Sequence, residues 1–371
     1  MNKNITVIYG DGVGPEVTAQ AVRVLEAVAT TYNHEFNFTR ALLGAEAIEK
    51  TGNVLPAETI DIALESDAVL FGAVGDPKYD NNPNPNIRPS QGILGIRKAL
   101  QLFANIRPIN VFPSLHYLSP LKAKYLHNVD FVIYREFTGG IYFGDKATNK
   151  EGTLAKDECS YSKDEIERVA HLAFKAAQGR RKKLTLVDKA NVLETSRLWR
   201  KTVKALELQY PTVAVNYMFV DNAAIQIIMN PSQFDVILTE NLFGDILSDE
   251  ASVLTGSIGL APSAAVGNTV GFFGPIHGSY PLAAGKDIAN PLGSIMSAAL
   301  MLDYFGLKEE SNKVKEAVNW TLKNAFVTKD IDPVNFYFTS TIGDLISDYI
   351  YGKVPDAVNR SNIEARKSTI I

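Results

Sequence analysis

The sequence predicts an α/β fold, and three observations carry that prediction. Continuous apolar runs suited to strands buried on both faces recur along the chain, helical patterns alternate with them nearly throughout, and the composition is that of an ordinary globular protein. With 371 residues, 46% hydrophobic and 21% charged, the chain is long enough for two domains.

The first element is a strand that runs through "ITVIYG" into a glycine-rich turn and a helix. The glycines fall at Gly10, Gly12 and Gly14, one residue short of the G-x-G-x-x-G dinucleotide fingerprint. The acidic residue expected about 20 positions further on is also missing, because "HEFNFTRAL" ends in Arg40 and Ala41. By itself the stretch is a tight strand-to-helix turn with Pro15 at the first helical position. The following helix, predicted over 15–30, sets Val17, Ala21, Val24, Leu25 and Val28 on one face. "DAVLFGAV" is the next strand, and "DPKYDNNPNPNIRPSQG" at 76–92, with four prolines and four asparagines, is predicted to be a long loop of the kind that serves a site. After the strand "DFVIYRE", the irregular stretch 144–162 is predicted to be an arm or hairpin. A capping box of Ser162 and Glu165 opens a helix over 163–178 that places Ile166, Val169, Ala170, Ala173, Phe174 and Ala177 at helical spacing and stops at Gly179. "KLTLVDK", "VAVNYMF" and "FDVILTE" complete the strands, the last leading into a helix within 239–252.

Charge and composition exclude several function classes. A net charge of −4 offers no basic face for nucleic acid. The apolar run before Gly10 is too short for a signal-peptide core and no stretch reaches a membrane span, so a cytoplasmic protein with no membrane partner is expected. Cys159 is the only cysteine, and the five histidines contain no H-x-x-x-H, so any metal is expected to have oxygen ligands. No P-loop is present.

Asp245 and Asp249 lie four apart on the predicted helix, close enough to share a hard cation. Such pairs are more often a solvated acidic face, but this one follows an apolar strand and sits among Leu242, Phe243, Ile246 and Leu247. Asp221, at the end of another apolar strand, is a third candidate. Arg97, Arg107 and Arg135 recur beside apolar runs and have the planar fork that grips carboxylates, although singly each is commonly an ion-pair partner. Tyr142 and Lys189 are candidate acid and base groups; the alternatives are a rim tyrosine and an ion-paired lysine.

Taken together, "GDGVGPE", "GILGIRKALQLFANIRP", "REFTGGIYFG", "VDKANVLETSRLWR", "VDNAAIQ", "TENLFGDILSDEAS" and "HGSYPLAAGKDIANP" closely resemble the isocitrate/isopropylmalate family of β-decarboxylating dehydrogenases, in order from residue 5 to about residue 350. The resemblance implies a two-domain isopropylmalate dehydrogenase-like fold with a large central mixed sheet flanked by helices, not a Rossmann fold. It divides the chain into a cofactor-side domain, 1–102 plus 257–371, and a dimerisation and metal/substrate domain, 103–256, with the arm near 144–162. It implies NAD- and divalent-metal-dependent oxidative decarboxylation of 3-isopropylmalate in leucine biosynthesis; D-malate, tartrate and homoisocitrate dehydrogenases, and a non-catalytic regulatory relative, are the alternatives. Arg97, Arg107 and Arg135 then bind the malate carboxylates, and Asp221, Asp245 and Asp249 hold Mg2+ or Mn2+ with the substrate oxygens. Lys189 takes the hydroxyl proton and Tyr142 protonates the carbon that loses CO2. Lys189 and Asp221 reach the site from a second subunit, which makes the active form a homodimer with shared sites. Ile93 and Leu94 face the isopropyl group, where isocitrate enzymes place a serine and an asparagine. His277, Gly278, Ser279, Tyr280, Leu282, Ala283 and Asn290 form the loop that takes the adenosine. Two positions depart from the family pattern: Ser90, a cofactor-side residue, replaces a glutamate, and Leu282 replaces the aspartate of NAD-using members.

Overall fold

The computed structural model of the chain describes residues 1–80 and 87–353, and at its centre is a ten-stranded mixed sheet with helices on both faces. In chain order the elements are β1 (Asn2–Gly10), α1 (Gly14–Tyr32), β2 (Glu35–Arg40), α2 (Ala45–Thr51), α3 (Ala57–Glu65), β3 (Ala68–Ala73), α4 (Pro89–Ala99), β4 (Ala104–Asn110) and β5 (Asp130–Glu136). The hairpin strands β6 (Lys146–Thr148) and β7 (Ala155–Asp157) follow, then α5 (Lys163–Gly179), β8 (Lys183–Asp188), α6 (Glu194–Leu206), β9 (Ala214–Phe219), α7 (Val220–Met229), β10 (Val236–Thr239) and α8 (Asn241–Ser252). The chain continues with β11 (Pro262–Val266), β12 (Gly271–Pro275), α9 (Leu292–Tyr304), α10 (Lys308–Lys323) and α11 (Thr339–Ile350).

The strand order is β2-β1-β3-β12-β11-β4-β5-β10-β8-β9. β2, β1, β3 and β12 are mutually parallel, as are β5, β10, β8 and β9. Antiparallel pairing of β12 with β11, β11 with β4 and β4 with β5 joins the two blocks, which therefore point in opposite directions. This mixed order is unlike the all-parallel sheet of a dinucleotide-binding Rossmann domain.

The periodicities read from the sequence are realised in the packing. Val17, Ala21, Val24, Leu25 and Val28 of α1 are fully buried, and every residue of β3 and β10 is buried. The capping box at α5 is formed: Ser162 Oγ accepts from Glu165 N at 3.2 Å, and Ser162 N donates to Glu165 Oε2 at 2.7 Å. The arm is the β6–β7 hairpin. The predicted loop 76–92 ends earlier than expected, because Pro89 is the first residue of α4 and 89–92 are helical. A proline at this position has no N–H to leave unpaired, and the buried Ile96 and Leu100 supply an apolar face, so here proline starts a helix. Residues 81–86 of that stretch lie outside the described residues.

One face of the sheet is covered by α1, α9, α10 and α11 at one end and by α5 and α6 at the other. On the opposite face an apolar cluster that includes Ile8, Leu43, Val69, Ile96 and Leu100 covers the first block, and a second around Phe131, Ile133, Ile237 and Leu247 covers the other. Between these two clusters the alternation of β4 and β5 brings up Asn105, Arg107 and Arg135, so the apolar face is broken by a polar strip.

Candidate active site

The strip is a consequence of register. Asn105 pairs with Arg135 on one side and Ala265 on the other, and Arg107 stands two residues along from Asn105 on the same face. A cavity of about 390 Å³ lies over it, lined among others by Asn105, Arg107, Ser263 and Phe137. α4 closes one wall with Ser90, Ile93, Leu94 and Arg97. All four of those predicted site residues therefore meet in one hollow with Arg107.

The arginines and the α8 aspartates are interlocked. Arg107 donates from Nη1 to Asp249 Oδ1 at 2.9 Å and from Nη2 to Asp245 Oδ1 at 3.3 Å, while its Nε donates to Asn105 Oδ1 at 2.9 Å. It also donates to the Ser248 hydroxyl. Arg135, 2% exposed as a side chain, pairs with Asp245 and forks onto Asn241 Oδ1 from Nε at 2.9 Å and Nη2 at 2.7 Å. α8 can come this close to β5 because residue 244 is glycine: a Cβ there would lie 2.7 Å from Arg135 Cβ and Cγ. Burial opposes ionisation of Asp245, but the Arg135 and Arg107 guanidinium groups hold its carboxyl below the usual carboxylate value. Arg97 has no hydrogen-bond or ion-pair partner among the described residues and stacks over the Phe137 ring at 4.1 Å. Burial, together with the neighbouring Arg135 and Arg107 cations, pulls Arg97 down to about 9, which still leaves it a cation at neutral pH, one without an ion-pair partner among the described residues.

Tyr142 is carried by a turn that is pinned from below. The buried Glu136 carboxylate accepts from Thr138 N at 2.9 Å and Gly139 N at 2.7 Å, and Asn241 Nδ2 donates to Gly139 O at 2.9 Å. The Tyr142 hydroxyl then donates to Asp245 Oδ2 at 2.9 Å. Burial and the Asp245 carboxylate raise the phenol above its ordinary value, which keeps the proton on it.

Lys189 and Asp221 stand elsewhere. Lys189 follows β8, Asp221 lies in the first turn of α7, and the two form an ion pair with each other. The chain does not gather Asp221 with Asp245 and Asp249: among the described residues no group of three acidic, histidine or cysteine side chains is placed to hold a metal.

A second cavity of about 470 Å³ lies next to the first, and His277 and Gly278 line both. Its wall also includes Val13, Gly259, Tyr280, Asn290 and Asp330. The glycine turn lies beside it, but its amides are used within the protein: Asp11 N donates to Ala73 O, Val13 N to Ser279 O and Gly14 N to Asp11 O. Asp11, buried, accepts from Ala45 N, Glu46 N and Gly75 N. Leu282, 78% exposed, and Ala283, buried against Val13 and Val17, line neither cavity.

Residues 4–346 match the family model described as "Isocitrate/isopropylmalate dehydrogenase". The chain belongs to the isocitrate/isopropylmalate dehydrogenase family. It is 47% identical over 352 residues to the 3-isopropylmalate dehydrogenase of Bacteroides fragilis (strain YCH46), covering 94% of this chain and 99% of that one. It is 51% identical over 337 residues to that of Bacillus subtilis (strain 168), covering 89% and 92%. Among solved structures, the isocitrate dehydrogenase of Methylococcus capsulatus superposes with a TM-score of 0.83 at 32% identity over 94% of this chain and 99% of that one. The central mixed sheet flanked by helices is the fold of this family.

Within this family member, sequence reasoning missed Asn105, Ser263, Asn241 and Asp330. Asn241 immediately precedes the aspartate-bearing turns of α8, but nothing in its spacing announces that it holds Arg135. Asp330 lies 40 residues beyond Asn290, whose Nδ2 donates to it at 3.1 Å, and only folding makes them neighbours.

Proposed function

We propose that this chain oxidatively decarboxylates 3-isopropylmalate to 2-oxoisocaproate and CO2, with NAD and a divalent metal ion, in the leucine branch of amino-acid biosynthesis in the cytoplasm. The observation that carries the reading is the first cavity: Arg97 and Arg107 line it beside Ile93 and Leu94, with Arg135 on the same face. Guanidinium groups suit the two carboxylates, and the aliphatic pair on α4 suits an isopropyl group in place of a third carboxylate. In support of a metal, Asp245 and Asp249 present only oxygen donors on one helix face, the set a hard cation prefers. In support of NAD, the second cavity holds His277, whose buried Nε2 has no partner among the described residues, and joins the first at His277 and Gly278. Tyr280 and Asn290 lie in its wall, and Ser279 fastens the loop to the glycine turn.

Asp245 and Asp249, with Asp221 of a second copy, would hold the metal ion, which would supply Lewis-acid polarisation of the substrate oxygens, and the second cavity would hold NAD, which would supply the hydride acceptor for C2. Lys189 Nζ, acting as the neutral amine after its own proton has passed to solvent, would take the proton of the C2 hydroxyl as the hydride departs. Arg97, Arg107 and Arg135 hold the carboxylates, and Arg107 is drawn from the aspartates it now pairs with. Tyr142, with its proton held on oxygen at neutral pH, delivers it to the carbon that loses CO2.

The separation of Lys189 and Asp221 from Asp245 supports a shared site in a homodimer, in which a second copy supplies the lysine and the third carboxylate. Ile225 and Met229 on α7 and Ile246 on α8 are 57%, 58% and 58% exposed, an apolar face suited to the same helices of a second copy. In support of dividing the chain at 102/103 and 256/257, β2, β1, β3, β12 and β11 come from the outer segments and β4, β5, β10, β8 and β9 from the middle one. No helix among the described residues is long and apolar enough to cross a membrane.

The test is NADH formation with magnesium from 3-isopropylmalate, D-malate and isocitrate, each with NAD or NADP. The isopropyl pocket predicts a kcat/KM advantage of about 10–200-fold for isopropylmalate over D-malate. A preference for isocitrate or D-malate would overturn the substrate assignment. A second measurement tests the cofactor cleft. Gly12 has φ +61° and a Cβ there would lie 2.0 Å from Ser279 O, so Gly12→Ala should destabilise the fold by about 1–3 kcal/mol and raise the KM for NAD by displacing the loop. An unchanged KM for NAD would separate that loop from cofactor binding.

A further inference from the structure

Glu240 is a buried carboxyl that the reaction just described does not use. It is 3% exposed, at the joint between β10 and α8, and it has no cationic partner among the described residues. A carboxylate at a helix N-terminus ordinarily caps the helix, yet the Glu240 side chain makes no bond to the first amides of α8. It turns instead toward α6 and accepts a hydrogen bond from Ser196 Oγ at 2.8 Å. Ser196, fully buried, in turn accepts from the backbone N–H of Lys189 at 3.0 Å. The chain Lys189 N–H to Ser196 O–H to Glu240 thus ties the turn that bears Lys189 to the joint that starts the helix of Asp245 and Asp249.

We propose that Glu240, acting through Ser196, is a positioning residue for Lys189. The inference rests on the reading of Lys189 as the proton acceptor. In a dimer with shared sites it would link the part of the chain that serves its own site to the part that serves the neighbouring one. The ionised form suits this arrangement: a carboxylate only accepts, so Ser196 donates to it and keeps a lone pair for the Lys189 amide. A protonated Glu240 could donate to Ser196, whose own hydroxyl hydrogen would then lose its acceptor. The groups around it leave it poised between these states. Burial, opposed by the Ser196 hydrogen bond and reinforced by the Asp188 carboxylate of β8, pushes Glu240 up to about 7. Asp188 is itself gripped by Arg200 of α6 through two bonds of 2.8 Å, so that cation is committed elsewhere. Cys159 and Tyr161, which lie near the carboxyl on the segment before α5, add no positive charge at neutral pH.

The experiment measures kcat, KM and their pH dependence for Ser196→Ala, Glu240→Gln and, separately, Lys189→Ala, with thermal melts of each. Ser196→Ala should lower kcat about tenfold or more while the KM for isopropylmalate stays within about twofold. Glu240→Gln keeps an acceptor but cannot titrate, so it should lose the part of the parent's fall in kcat that occurs as pH drops from about 8 to about 6. A parental pH profile in Glu240→Gln, or a parental kcat in Ser196→Ala, would overturn the proposal. If Lys189→Ala retains turnover, it is the assignment of Lys189 that fails; if Lys189→Ala is dead and the other two behave as the parent, only the positioning role fails.

Discussion

Lys189→Ala should reduce kcat by about 10²–10⁴-fold while leaving a folded protein, the range spanned by loss of a positioned general base. The structural reason for so clean a separation is that the Lys189 side chain does little for the fold. Among the described residues its ammonium makes an ion pair with Asp221, whose side chain is 64% exposed, and a long cation–π contact of 6.0 Å with the Phe219 ring, and interactions so open to solvent contribute little to stability. What fixes the segment is its backbone: Lys189 N donates to Ser196, and Val192 N and Leu193 N donate to Lys189 O at 3.0 and 2.9 Å. Alanine keeps all three. The thermal midpoint should therefore move by no more than about 2 °C. Retained NADH formation in this variant would remove Lys189 from the proton path.

Arg135→Met should have the opposite character, harming fold and turnover together. The guanidinium is 2% exposed as a side chain and satisfies Asn241 and Asp245 at once, and Asn241 in turn holds the Gly139 carbonyl of the Tyr142 turn. Breaking a buried ion pair costs about 3–5 kcal/mol; because Asp245 keeps Arg107 and Tyr142 and is 31% exposed, about 2–3 kcal/mol is expected here. On the proposed role of Arg135 in holding a substrate carboxylate, loss of those charged hydrogen bonds should lower kcat/KM by about 100-fold or more. Lysine should not rescue it, since an ammonium cannot make the fork onto Asn241. The acid limb of stability supplies a further check. Asp245 has a lowered pKa in the folded state, so its contribution is complete above the unfolded carboxyl value of about 3.9 and is lost as pH falls through the lower folded value. Arg135→Met removes the largest attractive cause of that lowering, so the gap in stability between parent and variant should narrow in strong acid. Urea unfolding at several pH values measures it, and a constant gap would argue that Arg135 stabilises by packing alone.

Much of this was legible before folding because it depends on neighbours in sequence. The apolar period of α1, the capping box of α5 and the hairpin in the arm are local patterns, and each is formed as read. The glycine spacing excluded the dinucleotide fingerprint, and the structure supplies the reason: the turn spends its amides on Ala73, Ser279 and Asp11. The boundary at Pro89 was less legible, because proline both interrupts loops and opens helices, and the choice rests on whether Ile96 and Leu100 find a sheet to cover.

The α/β class and the family were legible in the sequence alone, which also nominated the residue types proposed for the site: three arginines, two aspartates four apart, a tyrosine and a lysine. Their grouping was decided only by tertiary structure. Sheet register set Asn105 beside Arg135 and Arg107 on the same face, α8 came down on Arg135 because residue 244 has no side chain, and Lys189 with Asp221 was left on a different part of the chain. The physical reason is range: helical and strand periods act over a few residues, whereas the contact between Arg107 and Asp249 spans 142 positions and exists only once two strands and a helix have packed.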